Sequence, residues 1–135
     1  MSQVKVKWVE GKEFVGTDSM SHSLVISSSE EGTGLKPSDL LLLGLGGCTG
    51  VDVISILEKE RQKVTDLEIT ITGEQEPEPP WAFRRIEINY LLRGKGLKEE
   101  AVRRAIQLSE EKYCSVGATI SGVAKIASSF QIVEE

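Results

Sequence analysis

Residues 37–63, PSDLLLLGLGGCTGVDVISILEKERQK, decide the fold. Proline suits a first helical turn, and Asp39 stands where a carboxylate favours the positive end of the helix dipole. The stretch predicts a helix over about residues 38–63. Its first half has no polar face, and a helix apolar all round is buried on most sides. Gly44, Gly46, Gly47 and Gly50 each cost up to about 1 kcal/mol against alanine in a helix. Close approach of another backbone is the usual compensation. A helix this apolar in a chain of 135 residues is hard to bury within one protomer, which points to an intertwined dimer.

Outward from this helix the pattern changes to period two. Residues 3–9 alternate, with Val4, Val6 and Trp8 on one face; residues 13–17 and 22–28 make two further short strands, an antiparallel meander. Residues 27–36 read as a polar loop. After the helix, residues 64–74 alternate with Leu67, Ile69 and Ile71 on one side. Residues 82–92 do the same with Ile86, Ile88 and Tyr90, so the two pair as a long hairpin across residues 75–80. Residues 97–112 form an amphipathic helix with Ala101, Val102, Ala105, Ile106 and Leu108 on its apolar side. Residues 114–120 make a short helix and residues 122–133 a last strand. The order βββ-α-ββ-α-α-β is an α+β class with antiparallel sheets, expected as one domain over residues 1–135.

Composition excludes several functions. A net charge of −5 with no basic block argues against nucleic acid and anionic membrane as partners. With 5% aromatic residues, stacking platforms for single strands are not expected. MSQVKVKWVE lacks the apolar run of a signal peptide, and residues 40–45 are too short to span a bilayer. A cytoplasmic protein is expected. In that compartment two cysteines are rarely a structural disulfide.

Those cysteines, Cys48 in GLGGCTG and Cys114 in EKYCSVG, are 114 − 48 = 66 residues apart. Such spacing excludes a CxxC motif and the local zinc patterns. It leaves open that the small residues around Cys48 admit the segment starting at Cys114. If Cys114 opens a helix, its thiolate gains from the dipole. A thiol pair then has a redox use: one sulfur becomes a sulfenic acid, and the other condenses with it to a disulfide. The plainer reading is two isolated, buried, inert cysteines. Asp52, four residues after Cys48, would raise a nearby thiol's pKa unless it is turned toward another contact. His22, the single histidine, reads as a residue on a half-exposed strand. The glycines of residues 32–34 and 44–47 are not phosphate loops, because neither opens a helix in a βαβ unit.

The segments GGCTGVDVISIL and LSEEKYCSVGATI, with the order of elements, resemble the OsmC family (osmotically inducible protein C), which includes the organic hydroperoxide resistance proteins. VKWVEG, the helix around Cys48 and EKYCSV look most like its YhfA-like branch. The resemblance implies an intertwined homodimer with long central helices and an active site at the interface. It implies Cys48 as the peroxidatic catalytic thiol and Cys114 as the resolving one, with no metal and no bound cofactor. Family peroxidases hold the reactive cysteine with an arginine from the N-terminal region or a nearby loop and a glutamate near the start of the central helix, ten residues before it. Here position 38 is serine, Asp39 lies about 100° away around the helix, and no arginine precedes Arg61. Lys12, Arg84, Arg85 and Arg93 are the remaining cations for that role, and lysine is a poor substitute for a planar guanidinium.

The sequence therefore reads as a thiol-dependent hydroperoxide reductase using an external dithiol. The alternative is a non-enzymatic small-molecule binder or redox sensor on the same dimeric fold.

Overall fold

Alternating apolar residues in two strands that follow one apolar helix fix the packing of the larger part of this chain. The computed structural model describes residues 1–28 and 31–135, which form two three-stranded sheets and three α-helices. By contacts they fall into two compact units, Met1–Leu41 and Leu42–Glu135.

In the first unit β1 (Lys5–Glu10), β2 (Glu13–Thr17) and β3 (Ser23–Ser27) form the expected antiparallel meander. Gly11 turns the first hairpin with φ of +52°, a conformation that costs a glycine nothing. Ser27 is buried, its hydroxyl bound to Glu13 and accepting from the Gly34 N–H at 2.9 Å. Leu35 bridges back to Ile26. Within the expected 27–36 loop, residues 29–30 lie outside the described residues. Val6, Trp8 and Val9 of β1 are exposed, as is Val4 just before it. His22 precedes β3 in a turn rather than lying on the strand. There Asp18 accepts from the backbone N–H groups of Met20 and His22, and these bonds hold the Asp18 carboxyl below its ordinary value.

The long helix α1 (Pro37–Lys59) opens at the proline, as its sequence requires, and stops four residues short of the expected end. Arg61, just beyond it, adopts a φ of +58° that a helix does not tolerate. In the second unit, β4 (Lys63–Gln75) and β5 (Phe83–Lys95) pair over their length, with Ile69 opposite Tyr90 and Ile71 opposite Ile88. Ile86, Ile88, Tyr90 and Leu92 of β5 are buried, as their alternation demands. Helix α2 (Glu99–Leu108) buries Ala101, Val102, Ala105 and Ile106. A π-helical turn, Ser109–Tyr113, follows, then α3 (Ser115–Ile120) and β6 (Lys125–Glu134).

The α+β class stands, and two further details depart from expectation. The second sheet is mixed: β6 runs parallel to β5, with Tyr90 opposite Phe130. Parallel neighbours need a long crossover, which α2, the π turn and α3 supply. The central helix is also less enclosed than its apolarity suggests. One stripe, Leu45, Thr49, Val53 and Leu57, is buried at the helical repeat. Gly46 and Gly50 lie against Ile71 and Ile69, where added β-carbons would come within 2.8 Å and 3.2 Å. Gly44 and Gly47 face open space, and Leu43 and Val51 are 55% and 68% exposed. Taken whole, α1 is long and apolar enough to cross a membrane, which residues 40–45 alone are not.

Leu57 is fully buried in the core of the second unit. Leu57→Ala is expected to lower the unfolding free energy by about 2–5 kcal/mol, the range for large-to-small core substitutions. Urea denaturation followed by circular dichroism measures it; a loss under about 1 kcal/mol would show that α1 does not close this core.

Candidate functional site

The buried stripe of α1 places Thr49 in the core, which puts Cys48 one residue to its side, partly buried against that core. The π turn brings the second thiol to it. In an α-helix Cys114 N–H would bond four residues back; here it bonds the Ser109 carbonyl, five residues back, at 2.8 Å. Cys114 is 4% exposed, and Cys48 is close enough to act on its thiol. Both are free thiols. The structure thus brings together the two residues that spacing alone left unjoined.

Cys114 caps the N-terminus of α3, and its Sγ accepts from the Gly117 N–H at 3.3 Å. This is the contact expected to favour a thiolate, but it does not prevail. Burial pushes the Cys114 thiol up to about 11, helped by the Cys48 hydrogen bond and the charge of Asp52. The Gly117 N–H offsets only part of this. Cys114 is therefore held as a thiol near neutral pH.

Asp52 has the different contact that its position required. Its Oδ2 accepts from Ser109 Oγ at 2.8 Å. Ser109 Oγ also lies 2.9 Å from Thr49 Oγ1, which lies 2.8 Å from the Tyr90 hydroxyl. Tyr90 donates to Glu110 Oε2 at 3.0 Å, and Ser128 donates to Glu110 Oε1 at 2.9 Å. Tyr90 is almost fully enclosed, and burial raises its phenol pKa. Sequence reading missed Thr49, Ser109, Tyr90 and Glu110. Tyr90 carried a usable signal: a tyrosine in a buried register needs a partner for its hydroxyl.

Glu110, Thr49 and Cys114 share a cavity of about 300 Å3 with Lys125 and the apolar Leu45 and Ile126. Among the described residues Lys125 is the one cation lining that cavity. Arg84 is held by Glu76 and the Val123 carbonyl; Lys12 and Arg85 are exposed. Ser38 and Asp39 sit in the first turn of α1, with Asp39 exposed. His22 is exposed with Nδ1 3.4 Å from Asp18. Among the described residues no group of three or more His, Cys, Asp or Glu is arranged to hold a metal ion.

Comparison with known proteins agrees with this architecture. Residues 30–129 match the family described as OsmC-like protein. The chain is 38% identical over 131 residues to Protein YhfA of Escherichia coli (strain K12), covering 97% of this chain and 98% of that protein. Among solved structures, a hypothetical protein from Aquifex aeolicus VF5 is 32% identical, with a TM-score of 0.91 over 100% of this chain and 98% of the other. The organic hydroperoxide resistance protein OhrB of Bacillus subtilis shares the fold at 16% identity, with a TM-score of 0.64 over 97% and 98% of the two chains.

The negative charge of Asp52 disfavours a Cys114 thiolate, so its removal moves the thiol in a defined direction. In a Cys48→Ser background, Asp52→Asn is expected to lower the Cys114 pKa, read from thiolate absorbance against pH. An unchanged or raised value would remove Asp52 from the site's electrostatics.

Proposed function

We propose, for a chain that belongs to the OsmC family, that it is a thiol-dependent hydroperoxide reductase in oxidative stress defence. The observation that carries this reading is the pairing of Cys48 with a buried Cys114 kept as a thiol. A Cys48 thiolate attacks one peroxide oxygen, the O–O bond breaks, and the other oxygen leaves as alcohol or water after taking a proton. Cys48 is then a sulfenic acid. The Cys114 sulfur attacks the Cys48 sulfur, the S–O bond breaks, and a disulfide forms with loss of water. An external dithiol returns two electrons and two protons by exchange. Burial suits the resolving role, because Cys114 stays unreactive until its neighbour is oxidised.

The working unit in this reading is a homodimer, each chain acting as a single OsmC-like domain over residues 1–135 in the cytoplasm. The exposed Leu43, Gly47 and Val51, successive on one face of α1, support a second copy as the cover. A membrane is the rival cover, and Asp52 in mid-helix, bound to Ser109, argues against it. The reaction as written uses no metal, bound cofactor or nucleic acid.

The cavity beside Cys114 favours one second reading. Its apolar walls with one carboxylate and one ammonium suit a small molecule, so a non-enzymatic binder or redox sensor is the alternative. Slow alkylation of Cys48 together with a ligand retained through purification would favour it.

Wild type is expected to consume organic hydroperoxide in the presence of a dithiol, and Cys48→Ser is not. Equal consumption by the two would end the enzymatic reading. Cys114→Ser is expected to leave Cys48 as a sulfenate that dimedone traps. For the dimer, sedimentation of Val51→Glu is expected to show a shift toward monomer; a monomeric wild type would rule the dimer out.

A further inference from the structure

The side chains of Asp52, Ser109, Thr49, Tyr90 and Glu110 stand in one row with four oxygen–oxygen contacts of 2.8, 2.9, 2.8 and 3.0 Å. The ends are carboxylates, which only accept when ionised, and each hydroxyl between them brings one hydrogen. Four contacts need four hydrogens, the three hydroxyls supply three, and 4 − 3 = 1 is missing. The Tyr90 hydrogen goes to Glu110, so Thr49 donates to Tyr90. The single Ser109 hydrogen then serves Thr49 or Asp52, not both. Thr49 and Ser109 are 0% exposed, so bulk water does not fill the gap. Two buried acceptors facing each other are costly. One proton arriving at either end completes every link.

We propose that this row is a proton relay for the resolving step, taking up the Cys114 proton as that sulfur attacks Cys48 and returning it to the departing oxygen. The inference rests on the two-cysteine reading above. Glu110 lines the same cavity as Cys114, which at about 300 Å3 and with Glu110, Ser121 and Lys125 in its wall has room and partners for water to join the two. Among the described residues the charged groups here are Glu110 and Lys125 in the cavity wall, and Asp52, whose charge acts on Cys114. The step balances: the Cys114 S–H and Cys48 S–OH become a disulfide and water. The S–H and S–O bonds break, the S–S bond forms, and the proton passes from sulfur to relay to hydroxide.

The relay answers a difficulty set by burial. With a thiol pushed up to about 11, a rate tied to free thiolate would rise roughly tenfold per pH unit through neutrality. A relay that takes the proton during attack makes the rate nearly independent of pH there. Thr49, Ser109 and Tyr90 act through Glu110 and are positioning residues.

The test loads Cys48 with 5-thio-2-nitrobenzoate as a mixed disulfide and follows its release by Cys114. No peroxide enters, so the relay is judged apart from the hydroperoxide reading, which the consumption assay judges. Release from wild type is expected to change less than about threefold from about pH 6 to about pH 9. Tyr90→Phe and Glu110→Gln are expected to be slower at neutral pH by roughly tenfold or more, and to gain about tenfold per pH unit. A wild-type rate that itself rises tenfold per unit overturns the relay without any variant, and so do flat profiles in the variants. If Tyr90→Phe does not fold, Glu110→Gln and the wild-type profile decide.

Discussion

The hydroxyl of Thr49, fully buried between Tyr90 of β5 and Ser109 of the π turn, is the contact on which the site depends. A buried hydroxyl without a partner costs about 1–3 kcal/mol, so the helix is held at the rotation that satisfies it. That rotation sets its neighbours. Cys48 falls at the edge of the core and Asp52, three residues after Thr49, meets Ser109. Three elements distant in sequence are joined at one oxygen, and the thiols lie beside the junction.

The two cysteines differ in burial, and at Cys114 burial and the helix end pull in opposite directions. One amide N–H at 3.3 Å from a sulfur is a weak counterweight to near-complete enclosure. Such asymmetry suits a division of labour in which one sulfur meets the oxidant and the other waits. Gly117 packs beside Cys114 and Leu45, where an added β-carbon would make ordinary contacts at 3.4 Å and 3.5 Å.

Much of this was legible from residues alone. Alternation in β4 and β5 told which side of each strand is buried, and Pro37 marked where α1 starts. The direction of β6 was not legible, because its partner is set by a crossover and not by any local turn. The apolarity of α1 suggested enclosure on most sides, whereas one stripe is enclosed within the chain. Composition counts apolar faces without saying what covers them. The π turn was not read from SEEKY, and the contact that accompanies it, Ser109 with Thr49, joins residues 60 apart. Asp52 was visible as a carboxylate near a thiol, but its partner came from 57 residues away.

The π turn has a further meaning for how such a chain comes to hold two sulfurs in one neighbourhood. It is an α-helical path with one residue too many, and each residue turns a helix by about 100°. Without the extra residue, Cys114 would face a different side of the helical path while the core of α2 stayed as it is. The second sulfur thus owes its place to a change of length, and a one-residue deletion between Ser109 and Tyr113 separates the protein with a paired thiol from a near-identical one with a solitary Cys48.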